Sequence, residues 1–213
     1  MKLICPVPAD AWVSVSGGVD SVVAFHFLHT RHKVNGIFHF NHHCQDANLD
    51  MQNAVTQLSL DFPKSILMVG HAKTVLKSEA GYRKARLHSA FEGFHSKTLV
   101  TGHHLNDAVE SHFLNVIRGH DGWAPMPVRS CFPDNNKIIH PFLLIPKRKL
   151  FDYAEKHDLL KYVVRDPSNE ENKGSRRNFL RNTIIPLLEK ERIGMETIVK
   201  KKLIARYCNA ITE

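Results

Sequence analysis

What this chain lacks narrows its function before any motif is read. No apolar run approaches the roughly eighteen residues of a membrane span, so no association with a bilayer is expected. The four cysteines, Cys5, Cys44, Cys131 and Cys208, lie far apart without a C-x-x-C pair. That spacing argues against a zinc knuckle or a dithiol redox site and for a reduced, cytoplasmic protein. The opening Met1-Lys2-Leu3-Ile4-Cys5-Pro6 is too short and proline-broken for a signal peptide. There are no repeats and no low-complexity segment. Among 15 histidines only His39 and His43 fall at H-x-x-x-H spacing, and they do so at the end of an expected strand rather than on a helix, which leaves His39, His42, His43, His103 and His104 as weak zinc candidates. The phosphate-loop pattern G-x-x-x-x-G-K-[ST] is absent as well.

What is present is enough for one large domain, or one domain with a small appendage: 213 residues, 43% of them hydrophobic. The formal charge is +8, unevenly spread. From Lys147 to Glu213 there are 16 Lys and Arg against 10 Asp and Glu, so most of the surplus sits in the last third. A basic region beside a nucleotide-using core suits a polyanion such as RNA, although many basic surfaces are merely solvated.

The first 145 residues alternate short apolar strands with helical stretches, the pattern of a parallel sheet covered by helices. Strands are expected at 11–15, 34–40, 65–69, 97–101 and 138–144, the last interrupted by Pro141. Helices are expected at 46–60, 78–94, 105–118, 147–157, 178–190 and 196–209, and a long loop at 119–136. The expected fold is α/β, a Rossmann-like five-stranded parallel sheet with helices on both faces. Residues 1–145 form the nucleotide-binding core in this reading, and 146–213 a basic helical extension packed on or beside it. A ligand belongs at the carboxyl ends of the strands, at the switch point beside the first turn.

That first turn is Ser16-Gly17-Gly18-Val19-Asp20-Ser21, between an apolar strand and an apolar helix. The first N–H groups of such a helix have no partner in the helix and sit at its positive end. The glycines allow a phosphate to approach the backbone, and Ser16 and Ser21 add hydroxyl donors. Asp20 does not belong in a pure anion cradle unless a cation, Mg2+, shares the site. The fourth strand ends in Gly102-His103-His104-Leu105-Asn106-Asp107, with Glu110 on the same helix face as Asp107. Those two acids suit either a metal or an ammonium group. An ordinary solvated helix start, where acids favour the dipole, is the simpler alternative. Arg83 and Arg86 share a face of the preceding helix and suit a phosphate clamp; an exposed basic face explains them equally well.

The hexapeptide resembles the SGGxDS loop of the PP-loop ATP pyrophosphatases. Beyond it, further motifs follow in a family's order: "FNHH" at 40–43, "EAGYRKAR" at 79–86, "GHHLNDAVES" at 102–111, "RGHDGWAPM" at 118–126, "DPSN" at 166–169 and "RNFLRNTIIPLL" at 177–188. Together they resemble the N-terminal catalytic domain of the tRNA(Ile)-lysidine synthetase family. The last two motifs discriminate most, since other PP-loop families lack them. Gln45, Ala108, Trp123, Ala124 and Pro125 depart from the family pattern, and His140 stands where its R-P-L-L motif has arginine. The chain also stops where typical members continue into domains that help select the tRNA.

The resemblance implies a ligase that joins lysine to the wobble cytidine of a tRNA, releasing AMP and pyrophosphate. Ser16, Gly17, Gly18, Val19, Asp20 and Ser21 would bind ATP. Asp20, with Asp107, would hold Mg2+. Asp107 and Glu110 would hold the lysine ammonium or the metal. Arg83 and His103 would stabilise developing negative charge, completing a catalytic set of Asp20, Arg83, His103, Asp107 and Glu110. Arg118, Arg177 and Arg181, with Arg86, would contact tRNA phosphates. Two alternatives stay open: another PP-loop reaction, such as tRNA thiolation, and a non-catalytic ATP- or RNA-binding module. The sequence is compatible with a monomer or a homodimer.

Overall fold

The computed structural model describes residues 1–31, 34–42, 47–72, 79–93, 97–120, 126–164 and 176–207. His43, Gln45, Trp123, Ala124, Pro125 and the "DPSN" motif, all singled out above, lie outside the described residues, as do the side chains of Ala47, Glu79 and Ala80.

One twisted sheet organises the fold. Strands β1 (Trp12–Ser14), β2 (Gly36–Asn41), β3 (Ile66–His71), β4 (Thr98–Thr101), β5 (Arg129–Cys131) and β6 (Lys137–Ile139) assemble in the order β3-β2-β1-β4-β6-β5. All neighbouring pairs are parallel except β5 with β6. The order reverses at β1, between β2 and β4, so the loops after β1 and β4 open side by side.

The four central strands are buried on both faces, and their alternation shows it. Val13, Ile37, Val100 and Ile139 point into one core cluster; their neighbours Trp12, Phe38, Leu99 and Ile138 point into another. The first face is covered by α1 (Val19–His29), α2 (Ala47–Asp61) and α5 (Lys147–Lys156). Helix α1 is apolar around nearly its whole circumference because it lies between the sheet and α5. The second face packs on α3 (Glu79–Gly93) through Ala90.

Helix α4 (Leu105–Ile117) has its own core. Leu105, Ala108 and Val109 meet Met195, Val199 and Leu203 of α8 (Met195–Tyr207), whose spacing of four places them on one stripe. Between them in sequence lie α6 (Arg176–Phe179), a π-helical stretch (Leu180–Ile184) and α7 (Ile185–Lys190). The basic last third thus packs on the rest of the chain in several places, among them α5 on α1 and α8 on α4.

The sheet has one strand more than the sequence pattern suggests. Residues 129–131 fall within the expected 119–136 loop yet form an antiparallel edge strand, turned back by a 3-10 stretch at Pro133–Asn135. Asp134 and Asn135 take the left-handed backbone that their short polar side chains tolerate. Three largely exposed residues between two prolines carry no alternation, so no periodicity announced the strand.

Candidate active site

The 16–21 turn is held by its own serines. Ser21 Oγ donates to Gly18 O (2.8 Å), and accepts from the Ser16 N–H at 3.1 Å with Ser16 Oγ 3.3 Å away. Gly18 caps α1 with extended backbone and no side-chain bond, which leaves the positive helix end turned to the cleft. Gly17 has φ +90°, and a Cβ there would press on Met51 at 3.3 Å. Gly102 matters for a different reason: a Cβ would lie 2.7 Å from the Asp20 carbonyl, so only glycine lets the β4 loop close on α1. Behind the turn, Val164 N–H donates to Gly17 O at 2.9 Å.

The two loops enclose an open cleft of about 770 Å3, lined by residues 14–16 and 18–21, by His39, Phe40, His42 and Met51 on one side, and by 101–104, Asp107, Lys147, Phe151 and Arg181 on the other. His39 is buried and bonds through Nδ1 to Val15 O at 2.8 Å. A carbonyl only accepts, so His39 carries its proton on Nδ1 and keeps a lone pair on Nε2, which has no partner among the described residues.

His104 bridges the walls. Its Nε2 lies 3.4 Å from Asp20 Oδ2 and its Nδ1 lies 3.5 Å from Asp107 Oδ2, while its backbone N–H donates to Asp107 Oδ2 at 2.9 Å. Burial works against charging this ring, but Asp20 and Asp107 outweigh it and raise its pKa. For Asp107 burial likewise opposes ionisation, yet His104, His103, the His104 N–H and Arg177 together pull its pKa down. Lys147 Nζ stands 3.9 Å from Asp20 Oδ2. Its helix start is anchored where the Lys147 N–H donates to Asn106 Oδ1, at 2.9 Å.

Deeper along α4 the charges pair off. Arg177 Nε donates to Glu110 Oε2 (2.7 Å) and Nη2 to Asp107 Oδ1 (3.3 Å). Arg181 donates to both Glu110 oxygens, at 2.7 and 2.9 Å. Glu110 is buried, so the two guanidinium groups supply the counter-charge that its burial requires. The sequence reading gives these arginines to tRNA phosphates; the structure turns them inward onto Asp107 and Glu110. A second cation at that pair would therefore have to share or displace a guanidinium.

The remaining candidates are dispersed. Arg86 lines the cleft, whereas Arg83 is exposed on α3 and reaches the site through its field on His140. Arg118 caps the far end of α4, roughly 20 Å of helix from His104. Asp20 fits a Mg2+ role: its Oδ1 is buried and has no hydrogen-bond partner among the described residues, and Mg2+ bound to phosphates needs few protein ligands. Asp107 fits less well, since both its oxygens are engaged. Among the described residues no group of three or more His, Cys, Asp or Glu is placed to hold a metal by itself.

Sequence reading overlooked Lys147, Phe151, Thr101 and the contribution of His140. Lys147 had a local signal, the first residue of a helix directly after Pro146. Nothing local ties it to Asp20, 127 positions earlier.

The fold and cleft define a class. The chain matches the PP-loop domain family over residues 5–188 and belongs to that family. Among its curated relatives, the tRNA(Ile)-lysidine synthase of Legionella pneumophila (strain Paris) is 34% identical over 186 residues, covering 83% of this chain and 42% of the relative. That of Haemophilus ducreyi is 32% identical over 212 residues, covering 96% and 47%. The chain thus spans less than half the length of these relatives. A solved structure, the U34-tRNA thiolase NcsA of Methanococcus maripaludis with its [4Fe-4S] cluster, shares the fold: TM-score 0.71 at 18% identity, covering 91% of this chain and 70% of that one.

Proposed function

We propose that this chain carries out the tRNA(Ile)-lysidine synthase reaction, the ATP-dependent ligation of lysine to the wobble cytidine of a tRNA. ATP adenylates the cytidine oxygen at carbon 2 and pyrophosphate leaves. The ε-amine of lysine then attacks carbon 2, loses a proton and displaces AMP. The observation that carries the reading is a cleft in which the Ser16–Ser21 turn faces Asp107, with His104 between Asp20 and Asp107 and Glu110 one turn further along α4. One wall suits a polyphosphate; the other suits an amino acid.

On the first wall, the α1 N-terminus and the Ser16 and Ser21 hydroxyls hold the phosphates. Mg2+ shared by Asp20 and the phosphates would offset the charge of the leaving pyrophosphate. Lys147, beside Asp20, adds a cation to the same group. On the second wall, free lysine meets two carboxylates and two guanidinium groups, partners for its ammonium and its carboxylate in one cluster. Arg83 and His103 face charge developing on the phosphate or the base oxygen. Arg86, Arg118 and the basic last third supply phosphate contacts to the tRNA, which set affinity without selecting sequence. Another PP-loop reaction, such as tRNA thiolation, is the runner-up, but among the described residues no cysteine lines the cleft.

A pyrophosphate-release assay with tRNA, ATP and labelled lysine tests the proposal. Label should enter tRNA in step with pyrophosphate, and Asp20→Asn should lower both by about 100-fold or more. Pyrophosphate released without label in tRNA would sink the lysine assignment.

A further inference from the structure

Strands β4 and β6 lie in parallel register with Val100 beside Ile139, so the next residues, Thr101 and His140, are neighbours at the carboxyl edge of the sheet. His103 follows two residues after Thr101 and lines the cleft; His140 is buried behind it. Thr101 Oγ1 is 2.7 Å from His103 Nδ1 and hydrogen-bonded to His140 Nδ1, and the two Nδ1 atoms are 3.2 Å apart. The reaction as described uses His103 and leaves Thr101 and His140 without a part.

Counting protons decides the arrangement. Both rings are neutral at physiological pH: burial, then Arg177, Arg86 and His104, bring His103 to a pKa of about 4 against the pull of Asp107. Burial, then His103 and Arg83, bring His140 to about 3, again against Asp107. The Thr101 hydroxyl has one proton. Were both Nδ1 atoms bare, it could satisfy one and would set its own lone pairs against the other. Were both protonated, two N–H groups would face each other across 3.2 Å. The rings must therefore be opposite tautomers. One ring gives Thr101 its Nδ1–H and the other accepts the Thr101 proton, so the tautomer of His103 is tied to that of His140.

We propose that His140 and Thr101 form a relay that holds His103 in a single tautomer, opposite to that of His140. His103 thereby meets a phosphate or the developing oxyanion of the base as one neutral tautomer rather than a mixture. Histidine at position 140 gives this chain an uncharged device where the family pattern has arginine. Its use in adenylation rests on the function proposed above; the tautomer does not.

Nitrogen-15 labelling of the histidines, with long-range proton–nitrogen correlation, reads the tautomer directly in the full chain. His103→Gln identifies the signal. The parent should show His103 in a single tautomer and His140, identified by its loss in His140→Phe, in the opposite one. Thr101→Val and His140→Phe should turn the His103 signal into a tautomer mixture, whereas Thr101→Ser and His140→Asn, which keep a hydroxyl or an amide, should retain the parent pattern. Pyrophosphate release by Thr101→Val should fall in kcat by about 10-fold or more, with the KM for ATP little changed. A parent with both rings in the same tautomer, or a His103 signal indifferent to both disruptive variants, overturns the relay. A parent inactive with every substrate overturns the functional reading, while the tautomer measurement still decides the relay.

Discussion

The two walls of the cleft solve the same problem, placing charge where water is scarce, by opposite means. The Ser16–Ser21 wall is built within six consecutive residues, closes its hydrogen bonds on itself and uses backbone N–H groups as its positive element. The α4 wall spends full charges and must neutralise them from afar: Glu110 is matched by Arg177 and Arg181, 67 and 71 positions later. A partial backbone charge carries no large desolvation penalty, so it can be made locally; a buried carboxylate needs a counter-ion that only tertiary packing brings. Damage to the first wall should therefore cost function far more than stability, and damage to the second should cost both.

Acid gives the largest expected effect. His26, beside His157 and bonded to Tyr153, is brought by burial to a pKa of about 4, joining His103 and His140 at about 4 and 3. The unfolded rings titrate near 6.5. Stability contributed by keeping these three neutral is complete above that value and is lost as pH falls through 4 and then 3. Asp107, whose pKa is lowered, adds loss in the same direction at lower pH. His104, whose pKa is raised, acts in the opposite sense: its contribution is full below 6.5 and fades as pH rises through its folded value. With three groups against one, the urea midpoint should fall steeply from pH 7.5 to 4.5; a flat midpoint would remove the neutral-histidine account.

The double variant Arg177→Met, Arg181→Met comes next. It strands a buried Glu110 and should cost about 3–5 kcal/mol in urea unfolding, with either single variant costing clearly less. Equal losses for single and double variants would show that the two arginines do not share one charge. Gly102→Val should cost about 1–3 kcal/mol by forcing the β4 loop off Asp20, and it should weaken nucleotide binding as well, since it moves both walls. Binding at parental affinity would mean that the close approach is not what aligns the walls. Ser21→Ala should be mildest in stability, about 1 kcal/mol, yet should lower nucleotide affinity in calorimetry more than its stability loss accounts for. Proportionate losses would erase the contrast between the walls.

The first wall was legible because everything it needs is adjacent: an apolar strand, two glycines, two hydroxyls and an apolar helix. The α/β class, the alternation and most helices were readable for the same reason, since strand and helix periods are local. The pairing of Asp107 with Glu110 on one face was readable from their spacing. Their neutralisation by Arg177 and Arg181 was not: the resemblance implied tRNA contacts for those arginines, and no local pattern ties them to carboxylates some 70 positions earlier.

The sequence by itself determined the Ser16–Ser21 turn between strand and helix, the parallel-sheet architecture and the motif order that marks the family, because each is encoded in contiguous residues. Only the tertiary structure decided which charges cancel, that Lys147 stands beside Asp20, and that Thr101 and His140 meet behind His103. Those outcomes depend on strand order and helix docking, where residues up to about 130 positions apart come within a few ångströms and the low dielectric makes each encounter matter.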